Sequence, residues 1–299
     1  MNINSTENLI ITSNGKKYKK PKQTNIIGGI LAANTAGLAT YRSIIKLSQI
    51  PINKTSKLLS STDNDIFRQA ADKAFSNSGL EEKGVKILEI TEKTYKNAIQ
   101  DMRKEIPKWI KINPLAEKLY NKQITQKAHT VLMGRNAFYN FTNSNIMINK
   151  DKMSWAAFHE MGHAMNHKVF GISKLLIILR SPMSYLTPLV ILTAMIKRKK
   201  ADGEKPQGFF DKATTFAKEN AGKLAFVGML PILLEEGLAS VKGAKLAKNV
   251  LSKENLKKIN KQNIAAFTTY IGMAIAASTS AYIISKIKDA IASPKEIKE

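Results

Sequence analysis

The sequence predicts a mostly helical α+β protein in which a water-soluble region of catalytic type is followed by transmembrane helices. Three observations carry this reading. Residues 51–170 mix helical spacing with short alternating runs, as a compact soluble region does. Leu175–Ile196 and Ile264–Ser285 are 22 residues each, the first with a single charge at Arg180 and the second with none. Both reach the length of about 17–25 residues that crosses a hydrocarbon core. Three of the four histidines, His159, His163 and His167, fall within nine residues.

The chain has 299 residues, 43% of them apolar, which is enough material for a buried core. It has no cysteine, so disulfide scaffolds, thiolate zinc fingers, iron–sulfur clusters and cysteine nucleophiles are excluded. The formal net charge is +24, yet only six of the 47 basic residues are arginine and aromatics make up 7%. Nucleic-acid readers rely on arginine forks and aromatic platforms, so no nucleic-acid partner is expected. Lysines that flank membrane segments account for the excess more simply.

Three parts follow along the chain. Residues 1–50 form a basic N-terminal segment, with lysines at 16, 17, 19, 20 and 22 ahead of the uncharged run Gln23–Tyr41. That run reads as a weak membrane anchor or a packed helix, because it contains Asn25 and Asn34 and lacks a sharp cleavage site. Residues 51–170 are the soluble part. Helices are expected at Asp65–Phe75 with Asp63 or Asn64 as cap, at Thr91–Ile106 stopped by Pro107, and at Leu115–His129. Strands are expected at Val85–Ile90, Thr130–Phe141 and Asn145–Asn149, with a turn at Thr142–Ser144. A further helix, Met153–Val169, takes Asp151 as its N-cap. Its stripe of Trp155, Phe158, Gly162, Met165 and Val169 faces a core.

Residues 171–299 are the membrane-embedded part. Besides the two long apolar stretches it holds Leu224–Leu234, 11 apolar residues that read as a buried or re-entrant segment. A soluble all-helical core is the competing explanation. It suits 22 uncharged residues poorly, since surface helices carry a polar face.

The residues that carry chemistry are His159-Glu160-Met161-Gly162-His163, an H-E-x-x-H. Residues i and i+4 share one helix face, so two imidazoles converge on one ion, and neutral imidazole is a preferred zinc ligand. Glu160, beside the first histidine, is placed to take a proton from water. His167 lies eight residues from His159, about 12 Å along a helix at 1.5 Å per residue, too far to share the ion. It is assigned a bland place at the helix end. A third ligand is sought in Pro231-Ile-Leu-Leu-Glu235-Glu236-Gly237-Leu-Ala239-Ser240, where two carboxylates follow an apolar run.

H-E-x-G-H followed by E-x-x-A-S resembles the membrane-associated zinc metallopeptidases of the gluzincin group, including bacterial neutral zinc metallopeptidases and their CAAX-protease and stress-protease relatives. The resemblance spans roughly residues 130–240. It implies a zincin-like catalytic region, and Glu236 rather than Glu235 as third ligand to one zinc ion per chain. It also implies an edge strand at Asn136-Ala137-Phe138 that binds substrate backbone, and a place in a bacterial cell membrane. Ser240 stands where the CAAX branch has aspartate, which speaks against a prenylated substrate. Ala239 and Ser240, at i+3 and i+4 from Glu236, let that helix approach the histidine helix.

The expected function is a multi-pass membrane zinc peptidase acting on peptide or protein substrates in the lipid bilayer, with zinc-activated water and Glu160 as general base. The alternative is a non-catalytic membrane protein with a structural or vestigial zinc site. If His163 and Glu236 share an ion, the chain between them crosses the bilayer an even number of times: either Leu175–Ile196 and the Leu224–Leu234 region form a two-span excursion, or neither crosses. Pro182 and Pro188 would permit a bent hairpin within the first apolar segment.

Overall fold

A computed structural model describes residues 9–56, 59, 61–169 and 171–297. Residues 1–8 of the N-terminal segment, and the expected part boundaries at 170 and 299, lie outside the described residues. The elements in chain order are β1 (Leu9–Ile11), β2 (Lys17–Lys19), α1 (Gln23–Ser48), α2 (Ile50–Ser56), α3 (Ser61–Asn77), β3 (Lys86–Glu89), α4 (Tyr95–Lys104), α5 (Lys108–Lys111) and α6 (Pro114–Leu132). There follow β4 (Phe138–Asn140), β5 (Asn145–Ile148), α7 (Lys150–Met153), α8 (Ala156–Lys168), α9 (Ile172–Ile196), α10 (Gly208–Glu219), α11 (Ala221–Lys248), α12 (Lys253–Ala292) and β6 (Lys295–Glu296). The described residues are thus mostly helical with two small sheets.

The chain forms two compact units. A helical unit gathers Met1–Ile50, Leu179–Leu233 and Thr268–Glu299, and a site unit gathers Pro51–Ile178 and Leu234–Phe267. Residues 234–267, expected with the C-terminal membrane part, therefore group with the soluble part. The reason is chemical, because this stretch carries the carboxylates and small residues that pack on α8.

Among the described residues, three helices are long and apolar enough to cross a membrane: α9, α11 and α12. Only 17% of the apolar window of α9 is buried, so most of that surface is available to lipid. Leu224–Leu234 is not an isolated short segment. It belongs to the 28-residue α11, which is legible as a span only when the run is read across Glu235 and Glu236. Nor does α9 bend into a hairpin, since both of its prolines sit inside one continuous helix. Between α8 and the Glu235–Glu236 pair the chain runs through α9 and α11, the helices that contain the two segments weighed as an excursion, and Thr187 Oγ1 of α9 donates to the Ala225 carbonyl of α11 at 3.1 Å. α1 is a packed helix. Its buried Gly29, Ala33 and Gly37 recur every four residues, and a Cβ at Gly37 would stand 2.6 Å from Ile284. Small residues on one face let helices close up in this way without a polar seam. A short sheet, β1-β2-β6, lies beyond the helix ends.

The site unit is built on the sheet β3-β5-β4, with β3 parallel to β5 and β4 antiparallel on the other side. Because strand residues alternate in direction, Ile146 and Ile148 of β5 join Phe67, Phe158 and Met161 in one core, while Met147 joins Ile99, Ile124 and Val131 in another. The sheet is therefore covered on both faces. The expected strand Thr130–Phe141 is an error of period. Ala128 and Val131 face the second core at helical spacing, α6 continues to Leu132, and Gly134 at φ 65° turns the chain before β4 begins. Asp151 does not cap the histidine helix, which begins at Ala156 behind Trp155 with no side-chain cap; the short α7 ahead of it is capped by Asn149, whose side chain accepts from the Asp151 N–H. Asn64 is no cap either. It ties α3 to the start of the histidine region by bonding the Lys150 carbonyl and the Ser154 N–H, both at 2.8 Å.

Candidate metal centre

α8 is buried on nearly every side, not along a single stripe: Ala157, Met161 and Ala164 are as enclosed as Phe158 and Gly162, whereas Val169 is exposed. It lies against the sheet on one side and α11 on another. The α8–α11 contact is made by backbone. A Cβ on Gly162 would collide with the Ala239 carbonyl, and one on Gly243 with the Phe158 carbonyl. Ala239 is fully buried in this seam, so the small residues expected around the third ligand do stand at the helix contact.

That approach brings His159, His163 and Glu236 together as a group that could hold a metal ion. The three donor atoms form a triangle. His163 Nε2 is 3.0 Å from His159 Nε2, and Glu236 Oε2 is 3.2 Å and 3.4 Å from the two nitrogens. Ligands bound tetrahedrally at about 2.0–2.1 Å stand about 3.3 Å apart, so the edges match a shared first-row ion. Chemistry points the same way, since lone pairs converging at this distance need a cation or a proton between them. Burial works against a proton on His163, but the Glu235 and Glu236 carboxylates outweigh it and raise the imidazole to about 10. The cluster therefore favours a positive charge at this point, and the three donor atoms could hold it as a metal ion.

The surrounding groups fix the ligands. Glu235, fully buried, faces His163 Nδ1 at 2.8 Å, leaving Nε2 for the ion. Asn166 holds that carboxylate through Nδ2, donating to Glu235 Oε1 at 3.0 Å and to its carbonyl at 3.2 Å. Ser240 Oγ stands 3.2 Å from His159 Nδ1 and orients the other imidazole. A carboxylate or hydroxyl on the far nitrogen sets the tautomer and raises the basicity of a ligating histidine. Adjacent glutamates on one helix point about 100° apart. Glu236 accordingly meets the Nε2 pair, while Glu235 supports His163 from behind.

Glu160 is the next residue after the first histidine and is itself 5% exposed. Burial pushes its carboxyl up, the two imidazoles pull it down, and the backbone N–H of Tyr139 bonds it. That N–H belongs to β4, the edge strand of the sheet. Asn136 and Ala137 precede this strand, and only Phe138 of the expected trio lies in it. Phe138 packs towards the α4–α6 core, so Tyr139 is the edge residue nearest the carboxylate. His167 stands apart from the triangle. Its Nδ1 lies 2.8 Å from the Tyr139 hydroxyl, and burial together with Lys168 and Lys174 lowers its pKa.

Sequence reasoning missed Asn166 and the part played by Tyr139. Asn166 was legible in principle, since it lies at i+3 from His163 and i+7 from His159, on the same helix face. Tyr139 was not, because its contribution is a main-chain N–H. No family model, curated protein or solved structure matches the chain.

Proposed function

We propose that the protein is a membrane-associated zinc metallopeptidase, with His159, His163 and Glu236 as the zinc ligands and Glu160 as the general base. The observation that carries this reading is the triangle of donor atoms with edges of 3.0–3.4 Å beside a buried glutamate that ligates nothing. A structural zinc site needs no such fourth group, since its coordination is closed by ligands. When bound, zinc supplies electrophilic activation of a carbonyl and of water. Glu160 takes the proton from the attacking water at its carboxylate and delivers it to the departing amine nitrogen. Glu235, Asn166 and Ser240 hold the imidazoles still while this happens. The free edge of β4 offers backbone groups to an extended peptide by strand addition. The α9, α11 and α12 helices support a setting in or on the membrane.

The test is cleavage of a broad peptide library and of membrane proteins by the full chain in mild detergent, before and after chelation and zinc add-back. Cleavage that disappears on chelation and returns with zinc supports the proposal. A zinc-loaded protein that cleaves nothing supports the non-catalytic alternative.

A further inference from the structure

The helical unit contains a second feature, unrelated to the histidine cluster. Beyond the ends of α11 and α12 lies a cavity of about 870 Å³, walled by the 198–204 loop, α10 and the last turns of α12. It shares Gly222 and Tyr282 with an apolar groove of about 490 Å³ that runs along α11 and α12 past Phe226 and Val227. Gly222 permits this continuity, because a Cβ there would stand 3.0 Å from the Ser278 carbonyl of α12. A polar chamber opening into an apolar groove between two apolar helices has the shape of an amphiphile.

The chamber's chemistry narrows the occupant. Its charged lining is balanced, with five basic and five acidic residues. Several are already matched inside the protein: Arg198 and Lys200 with Glu204, Lys218 with Asp289, and Glu296 with Lys16. Lys199 and Lys286 have no carboxylate partner among the described residues, and neither Asp202 nor Glu219 has an ion-pair partner. Two buried groups in the wall are also unsatisfied. Thr215 Oγ1, on a residue 7% exposed, has no hydrogen-bond partner, and Asp289 Oδ1 has no hydrogen-bond donor, with the Lys288 ammonium 3.7 Å away, while its Oδ2 accepts from Lys218 at 2.6 Å. Buried polar atoms left bare are costly and point to a bound group that completes them. Phosphate oxygens suit Lys199, Lys286 and the Thr215 hydroxyl, while an ammonium with N–H donors suits Asp289 Oδ1 and the carboxylates.

We infer that this chamber and groove bind one aminophospholipid, with the phosphate and primary ammonium of its head in the chamber and an acyl chain in the groove. Choline lacks the N–H donors and glycerol lacks the cation, so phosphatidylethanolamine is selected over phosphatidylcholine and phosphatidylglycerol.

The experiment is native mass spectrometry of the full chain in detergent, titrated with each of these three lipids and with soluble glycerophosphoethanolamine. One phosphatidylethanolamine should stay bound at about tenfold lower concentration than either rival, the order expected for one charge-assisted contact. Lys199→Ala combined with Lys286→Ala should lower retention of all three lipids alike, since each carries the phosphate, whereas Asp202→Asn combined with Glu219→Gln should remove most of the preference for phosphatidylethanolamine. Thr279→Trp, which fills the groove from a partly exposed position, should weaken lipid retention while leaving the headgroup analogue unaffected. Equal retention of all three lipids, or preference for phosphatidylglycerol, would overturn the inference. So would a preference that survives the carboxylate variant, or a soluble headgroup that binds as well as the intact lipid.

Discussion

In the 197–211 segment of the helical unit, acidic side chains meet lysine and arginine. Glu204 accepts from Arg198 at 2.7 Å and lies 3.4 Å from Lys200, and Asp211 accepts from Lys200 at 2.7 Å and from Lys197. In the site unit, Glu235 and Glu236 are more deeply buried and meet imidazoles instead. A lysine or guanidinium carries its charge at neutral pH unaided, whereas an imidazole must borrow one from a proton or an ion. The first cluster is therefore complete within the chain, and the second could hold a cation. Burial sharpens the contrast, because an uncompensated charge costs far more inside than at the rim.

The comparison can be broken most severely at Glu160, which belongs to the site unit but ligates nothing in this account. Glu160→Gln should leave zinc content unchanged while peptide hydrolysis falls by about 10²–10⁴-fold, the loss typical of a general base. Loss of zinc in this variant would move Glu160 into the ligand set. A second break tests whether the triangle depends on the backbone seam. Gly162→Ala sets a methyl against the Ala239 carbonyl and should cost about 1–3 kcal/mol of stability together with zinc affinity. Gly237→Ala, whose Cβ meets Phe267 at an ordinary 3.6 Å, should change little. Thermal unfolding with and without zinc reads both.

Removing the groups behind the ligands should have an intermediate effect. Glu235→Ala and Asn166→Ala should lower zinc affinity by about 10–100-fold without abolishing binding, as measured by competition with a chelator. The smallest effect belongs to the self-sufficient cluster. Burial alone would raise the Glu204 carboxyl, but Arg198, Lys200 and the Ala201 N–H hold it down at about 2, against an ordinary 4.5. A carboxyl depressed in the folded state contributes fully above its unfolded value and loses that contribution as the pH falls. Hydrogen-exchange protection factors in residues 198–207 should thus be full at neutral pH and fall between about pH 4.5 and about pH 2. Arg198→Ala should cost less than about 1 kcal/mol, since such pairs are solvent-screened.

Much of the site was legible because its spacing is local. His159 and His163 are one helical turn apart, and periodicity places them on one face whatever surrounds them. The pairing of α8 with α11 joins residues 77 apart in sequence, and it was legible only through the small residues beside Glu236. Thr130, Val131 and Leu132 have strand-like composition, yet tertiary burial of Ala128 and Val131 keeps them in α6 and leaves β4 short. The α11 span was cut short at Glu235 by treating carboxylates as the end of an apolar run. Their imidazole partners let them stay inside, and no local signal reveals a partner on another helix.

The most direct measurement is the metal content of the full chain purified in mild detergent, as wild type and as Glu236→Ala and His167→Ala. The account predicts about one zinc per chain in the wild type, the number for one three-ligand site. It predicts loss of tightly held zinc in Glu236→Ala and near-complete retention in His167→Ala, whose imidazole is bonded to Tyr139. Equal zinc in wild type and Glu236→Ala would contradict it, because the two imidazoles would then be holding an ion without the carboxylate that α11 brings to them.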